Sequence, residues 1–288
     1  MKIKKILNNN AVVALDGGEE KIVMGSGIAY QKGKNDIIDP DRIEKVFIKD
    51  DADQYGHLQE MLRSLPEEEI AVSECIIAHA EQELGVTFNK PVHIALSDHL
   101  SYALERLSRG MLIQHTLLAE IRILYPREFE IGQYAKSLIL EKLQVEIPDD
   151  EVGYIAMHIH TAWANAGACH SSPELAAMIR DITEGVEREA GVRLNRQSAN
   201  YERLVNQLEN MLQTDDTTGI PRGELDPEIV RIAKERYPLV YGQACRIADE
   251  VDDDYGYVFT DSQLVLLALE INRLGRRMED ASSGLSSV

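Results

Sequence analysis

Three segments in the second half of the chain repeat segments from the first half. The matching pairs, in chain order, are DHLSYAL at 98–104 with NQLENML at 206–212, YPREFEIGQYA from 125 with YPLVYGQA from 237, and EVGYIAMHI from 151 with QLVLLALEI from 263. The offsets are 108, 112 and 112 residues, and matches that share one order and nearly one offset indicate a tandem duplication. Most of the chain must therefore fold as two copies of one unit. We place these at residues 65–170 and 171–288, with the boundary in the small, polar stretch NAGACHSSPE.

Both copies carry the periodicity of amphipathic helices, because apolar residues recur at spacings of three and four. Residues that favour helix starts precede these runs: Ser64, Asp149 or Asp150, Ser172 with Pro173 and Glu174, Asp226 with Pro227, and Thr260 with Gln263. Thr260 and Gln263 have the spacing of a capping box. The sequence therefore predicts two all-α helical-bundle domains.

The first 50 residues follow a different pattern. Four short runs, KIKKIL, AVVAL, KIVMGSGIAYQ and RIEKVFI, are separated by turn-forming asparagine, glycine and proline residues. They predict a small antiparallel β-domain at residues 1–55. A domain of this size buries little apolar surface, so we expect it to form a homodimer.

Charge is divided unevenly between this head and the body. The chain has 30 Lys and Arg against 49 Asp and Glu, a net charge of −19. Residues 1–50 hold nine Lys and Arg and eight Asp and Glu, so the remaining residues hold 21 Lys and Arg against 41 Asp and Glu. So acidic a body repels phosphates, and a nucleic acid is therefore expected to contact only the head.

The cysteine and hydropathy patterns bear on location. The three cysteines are scattered without metal-ligand spacing, and no apolar run approaches the roughly 18 residues that span a bilayer. The basic N-terminus, MKIKKILNNN, lacks the apolar stretch and cleavage site of a signal peptide. We expect a cytoplasmic protein without membrane insertion.

The histidines are distributed asymmetrically between the two copies. All eight lie between His57 and His170. His99 and His158 fall in the repeated segments, where the second copy has Gln207 and Glu270. Whatever chemistry this histidine pair performs, the second copy lacks it.

Three chemical roles are open to His99 and His158. Metal ligands on one helix need a spacing of four, whereas His158 and His160 are two apart and point to opposite faces, so we expect no metal ion. No nucleophile or phosphate-loop motif accompanies them, so we expect neither an enzyme nor a cofactor. Neutral imidazole can instead accept a phosphoryl group, which Arg106, on the same helix face as His99, is placed to pair with. The alternative is that both histidines are ordinary packed interface residues.

Head and body together resemble a known family. MKIKKILNNNAVVAL, VMGSGIAYQ and RIEKVF resemble the co-antiterminator RNA-binding domain of the transcriptional antiterminators of sugar-utilisation operons, the beta-glucoside and sucrose group. The two helical copies resemble the paired phosphotransferase-system regulation domains of that family, and the resemblance covers essentially the whole chain. It implies a dimeric β-domain that clamps a stem-loop in an mRNA leader and prevents an overlapping terminator from forming.

Matching the head motifs residue by residue implies the RNA contacts. They are Lys5, Asn8, Asn10, Gly25, Ser26, Gly27, Tyr30 and Gln31. Asparagine amides read base edges, a tyrosine ring stacks on a base, and glycines let the backbone approach. The local alternatives are that the asparagines only form a turn and that Tyr30 only packs the sheet. Ser26 replaces an arginine of many relatives, which shifts the positive charge to Lys2, Lys4, Lys5, Lys32 and Lys34.

The resemblance also implies regulation through histidine phosphorylation. In the family, the EIIB domain of a sugar-specific permease phosphorylates the first regulation domain and inhibits, whereas the histidine phosphocarrier protein phosphorylates the second and activates. His99 and His158 match the first pair of phosphorylated histidines. Gln207 and Glu270 replace the second pair, so activation by the phosphocarrier is expected to be absent or bypassed.

Two alternatives stay open at the sequence level. Glu270 is either a permanent negative charge in place of phosphohistidine or a drifted residue paired with Arg273. The protein as a whole is either an RNA-binding antiterminator or a phosphotransferase-linked protein-interaction regulator with weakened or lost RNA binding, which Ser26 and the acidic body would favour.

Overall fold

The computed structural model describes residues 1–49, 52–167, 174–213 and 224–284, from residue 277 onward as backbone only. Its contacts divide the chain into two compact units, Met1–Thr116 with Arg127–Ser171, and Leu117–Pro126 with Ser172–Val288. Within the described residues, a four-stranded antiparallel sheet is followed by eleven α-helices. The predicted fold class, a small antiparallel β-domain followed by all-α helical regions, is confirmed.

The N-terminal sheet is a meander whose strands lie in chain order. The strands are β1 (Lys2–Asn8), β2 (Ala11–Asp16), β3 (Glu19–Met24) and β4 (Lys45–Ile48). Gly17 and Gly18 join β2 to β3 with φ of 62° and 94°, a conformation that favours glycine. Four strands were predicted and four form, although the run KIVMGSGIAYQ is a strand only as far as Met24.

The helices have the following bounds: α1 (Ala52–Ser64), α2 (Glu67–Leu84), α3 (Lys90–Ser108), α4 (Leu118–Leu124), α5 (Pro126–Leu143), α6 (Asp149–Asn165), α7 (Leu175–Ala190), α8 (Ala199–Leu212), α9 (Pro227–Arg236), α10 (Pro238–Tyr255) and α11 (Asp261–Gly284). The repeated segments lie on α3 and α8, α5 and α10, and α6 and α11. Each pair of matching segments is therefore helical in both copies, as a duplication requires.

Both faces of the sheet are covered within one chain. Alternation along β2 places Val12 and Ala14 on one face, where the loop after β3 packs with Ile28, Ala29 and Ile38. Ala11 and Val13 lie on the other face, which packs on α1 through Tyr55, Leu58, Met61 and Leu62. Helix α1 thus supplies the second layer that a sheet of this size needs.

Helix α1 corrects the sequence prediction of where the helices begin. The sequence predicts Ser64 as the start of the first helix, but Ser64 is the last residue of α1. Its hydroxyl donates to the carbonyl of Glu60 at 2.9 Å instead of capping α2. The apolar residues of α1 are few and are interrupted by polar ones, so sequence periodicity did not indicate this helix. Contact with the sheet buries these apolar residues.

Helices α2, α3, α5 and α6 form a bundle in the first unit. Its core is made by buried side chains that include Ile76, Leu96, Leu100, Ile139, Ile155 and Ile159. Gly132 of α5 lies so close to α6 that a β-carbon there would be 2.7 Å from the carbonyl oxygen of Val152. The absence of a side chain at Gly132 therefore allows these two helices to pack closely.

Several predicted helix starts are observed in the second unit. Asp226 caps α9 by accepting from the N–H of Glu228 at 2.8 Å. The capping box of α11 is present: the N–H of Thr260 donates to Gln263 at 2.9 Å, and the N–H of Gln263 donates to the Thr260 hydroxyl at 3.3 Å. The predicted start at Ser172 and Pro173 lies outside the described residues.

Helix α4 belongs to the second unit, although its residues lie within the range 65–170 predicted for the first regulation domain. The buried hydroxyl of Tyr201, on α8, donates to the buried carboxylate of Glu120. Ile121, which is 0% exposed, anchors the apolar side of the same helix. The sequence ranges of the two regulation domains remain a prediction, and the contacts divide the chain differently at α4.

Candidate functional site

Two of the sequence motifs predicted to bind RNA come together at one end of the sheet. The turn Asn8–Asn10 joins β1 to β2, and residues 25–31 follow β3. The side-chain oxygen of Asn10 accepts from the N–H of Gly27 at 2.7 Å, and its carbonyl accepts from the N–H of Gly25 at 2.9 Å. Residues from two separate motifs therefore form one local surface.

This surface requires its glycines and includes an arginine that sequence reasoning missed. A β-carbon at Gly25 would lie 1.7 Å from the carbonyl oxygen of Arg42, and Gly27 has a φ of +61°. The half-exposed guanidinium of Arg42 donates to the Gly27 carbonyl at 2.7 Å and lies 3.8 Å from Asp39. Arg42 thus places a cation one residue from Ser26, where the resemblance implies that one is missing, while the N–H of Ser26 donates to the carboxylate of Glu44 at 3.0 Å. No spacing rule could identify Arg42, because the long loop after β3 returns it to this point.

The remaining predicted RNA contacts differ in accessibility. Tyr30 is 61% exposed, whereas a ring that only packed the sheet would be buried. Gln31 is also exposed and has a φ of 57°, which is uncommon for a residue other than glycine. Lys5 is exposed on β1 beside α1, and no contact among the described residues joins it to the Asn8–Asn10 turn.

Asn8 and its neighbour Asn9 are already hydrogen-bonded to helices of the same unit. The Asn8 amide donates to the carbonyl of Leu62, in α1, at 2.8 Å. The backbone and side-chain N–H groups of Asn9 donate to the carboxylate of Glu67, in α2, at 3.1 to 3.2 Å. An RNA that uses these donors must replace the protein groups that hold them.

A cleft of about 440 Å³ lies between the turn and α2. One wall carries the candidate RNA contacts, namely Asn8, Asn10, Gly25 and Ser26. The other wall carries Glu67, Glu74 and Glu81, which are seven residues apart and so share one helix face. In this conformation the candidate RNA surface faces a row of carboxylates, of which Glu81 is paired with Lys45 at 3.3 Å. The remaining negative charge of the row opposes the approach of phosphates.

The histidines of the first copy are neighbours in space. The ring of His99, on α3, lies 4.9 Å from the ring of His158, on α6, measured between centroids. Burial, with a smaller contribution from the charge of His99, lowers the pKa of His158 to about 4. The His158 ring is therefore neutral at pH 7, which is the nucleophilic form of imidazole.

A buried carboxylate stands beside this pair. Glu151 is 1% exposed; one oxygen accepts from Arg106, and the other lies 3.3 Å from Nε2 of His99, an ion-pair distance. Burial by itself raises the pKa of Glu151, but the close approach of His99, the hydrogen bond from Arg106 and the charge of both hold it below its ordinary value. The sequence predicted Arg106 to pair with a phosphate on His99, and the structure shows it paired with Glu151.

His115 is a member of the cluster that the sequence did not single out. Its ring lies 4.2 Å from that of Tyr154, and the Tyr154 ring lies 5.6 Å from that of His99. Burial lowers the pKa of His115 despite the nearby charges of Asp150 and Glu151. The repeat pattern does not include the loop that carries His115, so no sequence signal linked it to the pair.

His160 has a different environment from His158. Its Nδ1 lies 2.7 Å from a buried oxygen of Glu128, on α5, and the His160 side chain is 0% exposed. The two histidines therefore do face different neighbours, as their spacing predicts. Among the described residues, no group of three His, Cys, Asp or Glu side chains has the geometry of a metal site.

The substituted positions of the second copy lie on corresponding helices. Gln207 is half-buried on α8, and Glu270 is 8% exposed on α11. Nε of Arg273 donates to Glu270 at 2.8 Å, and Nη2 of Arg203, on α8, lies 3.9 Å from the same carboxylate oxygen. The pairing with Arg273, which belongs to the drifted-residue alternative, is present in the structure, and Arg203 adds a second cation that the sequence did not indicate.

The described helices include none that is both long enough and apolar enough to cross a membrane.

Comparison with known proteins agrees with the two kinds of region found here. Residues 1–55 match the CAT RNA binding domain family, and residues 74–162 match the PRD domain family.

Known relatives match nearly the whole chain. It is 33% identical over 275 residues to the transcription antiterminator LicT of Bacillus subtilis, which covers 95% of this chain and 99% of the relative. It is 32% identical over 288 residues to the beta-glucoside operon antiterminator of Dickeya chrysanthemi, covering 98% and 100% respectively. A crystal structure of GlcT CAT-PRDI is similar with a TM-score of 0.51 at 32% identity, over 56% of this chain and 96% of that one.

Proposed function

The chain belongs to the transcription antiterminator family that combines a CAT RNA-binding domain with PRD domains, and from this we propose that it controls a sugar-utilisation operon by antitermination. As a homodimer in the cytoplasm, it binds a stem-loop in the mRNA leader and prevents an overlapping terminator hairpin from forming. Phosphorylation of His99 or His158 by a sugar-specific permease, through its EIIB domain, inhibits it.

One observation carries the RNA-binding part of the proposal: the Asn8–Asn10 turn and residues 25–31 form a single surface with an exposed ring and a cation. Tyr30 offers a face on which a loop base can stack, and Arg42 offers a cation for a phosphate beside Ser26. Gly25 is buried, and its lack of a β-carbon lets the backbone at Arg42 pack against it, which holds this surface together. The exposed ring and the cation are features by which proteins recognise unpaired bases in RNA.

RNA binding by the full chain tests this part. The probe is an RNA hairpin selected from a randomised pool by the wild-type protein, and Kd is measured for Tyr30→Ala and Arg42→Gln. We expect Tyr30→Ala to weaken binding by roughly 5- to 100-fold, the effect of losing one stacked base. Matched controls are Tyr237→Ala, another exposed tyrosine, and Arg109→Gln, another exposed arginine. If the controls weaken binding as much, or if no RNA is selected, the proposed RNA surface is refuted.

The juxtaposition of His99 and His158 supports the phosphorylation part. Neutral His158 is nucleophilic, and Arg106 brings a guanidinium to the cluster. Incubation with the EIIB domain and a phosphoryl donor is expected to label wild-type protein but not the double variant His99→Gln/His158→Gln. Replacement of the exposed His57 by glutamine is the matched control and should leave labelling intact.

The environment of Glu270 supports the interpretation that it acts as a permanent charge. A nearly buried carboxylate between Arg203 and Arg273 occupies the place where the family carries phosphohistidine, and guanidinium groups are the usual partners of phosphate. On this proposal the second regulation domain stays in its active state without the histidine phosphocarrier protein. Reporter read-through in cells with and without the phosphocarrier is then expected to be the same.

The acidic wall of the cleft favours the second candidate, a phosphotransferase-linked protein-interaction regulator with weakened RNA binding. Glu67, Glu74 and Glu81 face the residues that would bind RNA. The selection experiment separates the two functions, because a protein of the second kind enriches no hairpin at physiological salt.

A further inference from the structure

One nitrogen of the His99 ring, Nε2, is buried beside a carboxylate. It lies 3.3 Å from an oxygen of Glu151, an ion-pair distance without the alignment of a hydrogen bond. The carboxylate is itself held by Arg106, and both of these side chains are less than a tenth exposed. His99 as a whole retains a side-chain exposure of 15%. A phosphoryl donor at Nε2 would meet a buried negative charge.

We propose that Glu151 is a positioning residue that keeps the His99 proton on Nε2 and thereby makes Nδ1 the nitrogen that accepts the phosphoryl group. The inference rests on the proposed function, in which His99 is a phosphoacceptor. A carboxylate beside one imidazole nitrogen favours the N–H at that nitrogen and leaves the lone pair on the other. Glu151 therefore selects which of two chemically distinct phosphohistidines forms.

Transfer of the phosphoryl group to Nδ1 of His99 needs no reactant other than the phosphoryl donor. The Nδ1 lone pair forms the new N–P bond, while the bond between phosphorus and the donor atom breaks and its electron pair stays with the donor. The Nε2 proton remains in place, so the His99 ring becomes positively charged as it gains the phosphoryl group. Glu151 stabilises that positive ring, in the way that a carboxylate stabilises an imidazolium in a catalytic triad.

His158 provides a comparison within the same cluster. It lies 4.9 Å from His99 between ring centroids, yet no described contact places a carboxylate on either of its nitrogens. Changes at Glu151 should therefore alter the isomer formed on His99 and leave the isomers formed on His158 as they are. A general loss of structure would change both.

The test uses the full chain and potassium phosphoramidate, which phosphorylates imidazole directly with loss of ammonia. Wild type, Glu151→Ala and Glu151→Gln are compared, and NMR distinguishes Nδ1- from Nε2-phosphohistidine at His99 and at His158, with a His158→Gln variant used to assign the two sets of signals. Exposed His57, which interacts with Asp98 only through charge, gives the reference isomer ratio in the same sample. We expect Nδ1 to exceed its share at His57 by roughly 10-fold, since a buried carboxylate beside Nε2 favours the tautomer that carries the proton there.

Glu151→Ala should return His99 to the isomer ratio of His57, and Glu151→Gln, which keeps an oxygen acceptor, should restore the preference in part. An Nε2 product in wild type, or a ratio that Glu151→Ala leaves unchanged, overturns the proposal. NMR assignment of the tautomer of unmodified His99 gives a second reading that needs no variant, and an Nδ1–H tautomer also overturns it. Failure of the proposed function would show differently, as a lack of labelling of His99 by the EIIB domain.

Discussion

Replacing Glu67 with glutamine is expected to tighten RNA binding by the full chain. Glu67 accepts three hydrogen bonds from Asn9 at 3.1 to 3.2 Å and lines the cleft opposite the candidate RNA contacts. RNA that approaches the Asn8–Asn10 turn must displace this carboxylate. Removing its charge weakens the contact that has to be broken and also removes a repulsion.

The size of the effect follows from two contributions. An exposed contact with a charged group contributes about 0.2–1 kcal/mol. Repulsion between one carboxylate and one phosphate about 8 Å apart in water costs about 0.5 kcal/mol. Together they correspond to a Kd that is roughly 3- to 10-fold lower in Glu67→Gln.

The assay is fluorescence anisotropy of a labelled hairpin at fixed salt, with Glu68→Gln as the matched control. Glu68 is the next residue of α2 and is exposed, so its replacement changes the net charge equally without touching the turn. We expect the control to change Kd by less than about 2-fold, since surface charges at a distance are screened. Equal tightening in both variants, or no tightening in Glu67→Gln, would show that α2 does not compete with RNA.

Four further predictions follow from described contacts. Burial lowers the folded-state pKa of His158 to about 4, below its unfolded value of about 6.5, so the unfolded chain binds more protons between these two pH values. The free energy of unfolding should therefore fall by up to about 3 kcal/mol as the pH drops from 6.5 to 4. Denaturant unfolding of His158→Gln should show a shallower pH dependence. Thr260→Ala removes the cap of α11 and should cost about 1 kcal/mol of unfolding free energy, whereas Thr161→Ala on the exposed side of α6 should not. If the permanent charge of Glu270 replaces phosphohistidine, Glu270→Gln should reduce reporter read-through several-fold. The control Glu235→Gln should have no effect. Unchanged read-through in Glu270→Gln would leave only the drifted-residue interpretation. The ring centroids of His99 and His158 are 4.9 Å apart, and each pair of like unit charges at that separation costs about 3 kcal/mol at an effective dielectric near 20. The two histidines should therefore carry one phosphoryl group at a time. Detection by mass spectrometry of a chain phosphorylated on both would contradict this prediction.

Features that depend on neighbours in sequence could be predicted from the sequence. The capping box of Thr260 and Gln263 and the cap at Asp226 are set by residues within three positions of one another. The opposite orientations of His158 and His160 follow from helix periodicity alone. The duplication and the β-to-α change of pattern likewise determined the fold class, because periodicity is a local property.

Contacts between distant parts of the chain were decided only by the tertiary structure. Arg42 reaches Gly27 because a long loop returns to the sheet, and Glu67 reaches Asn9 because α1 packs on the sheet and brings α2 with it. The same is true of Glu151, which the structure buries between Arg106 and His99. Such pairings depend on which side chains pack efficiently against one another in three dimensions. Periodicity in the sequence indicates which residues share a helix face, but it does not indicate which element that face packs against.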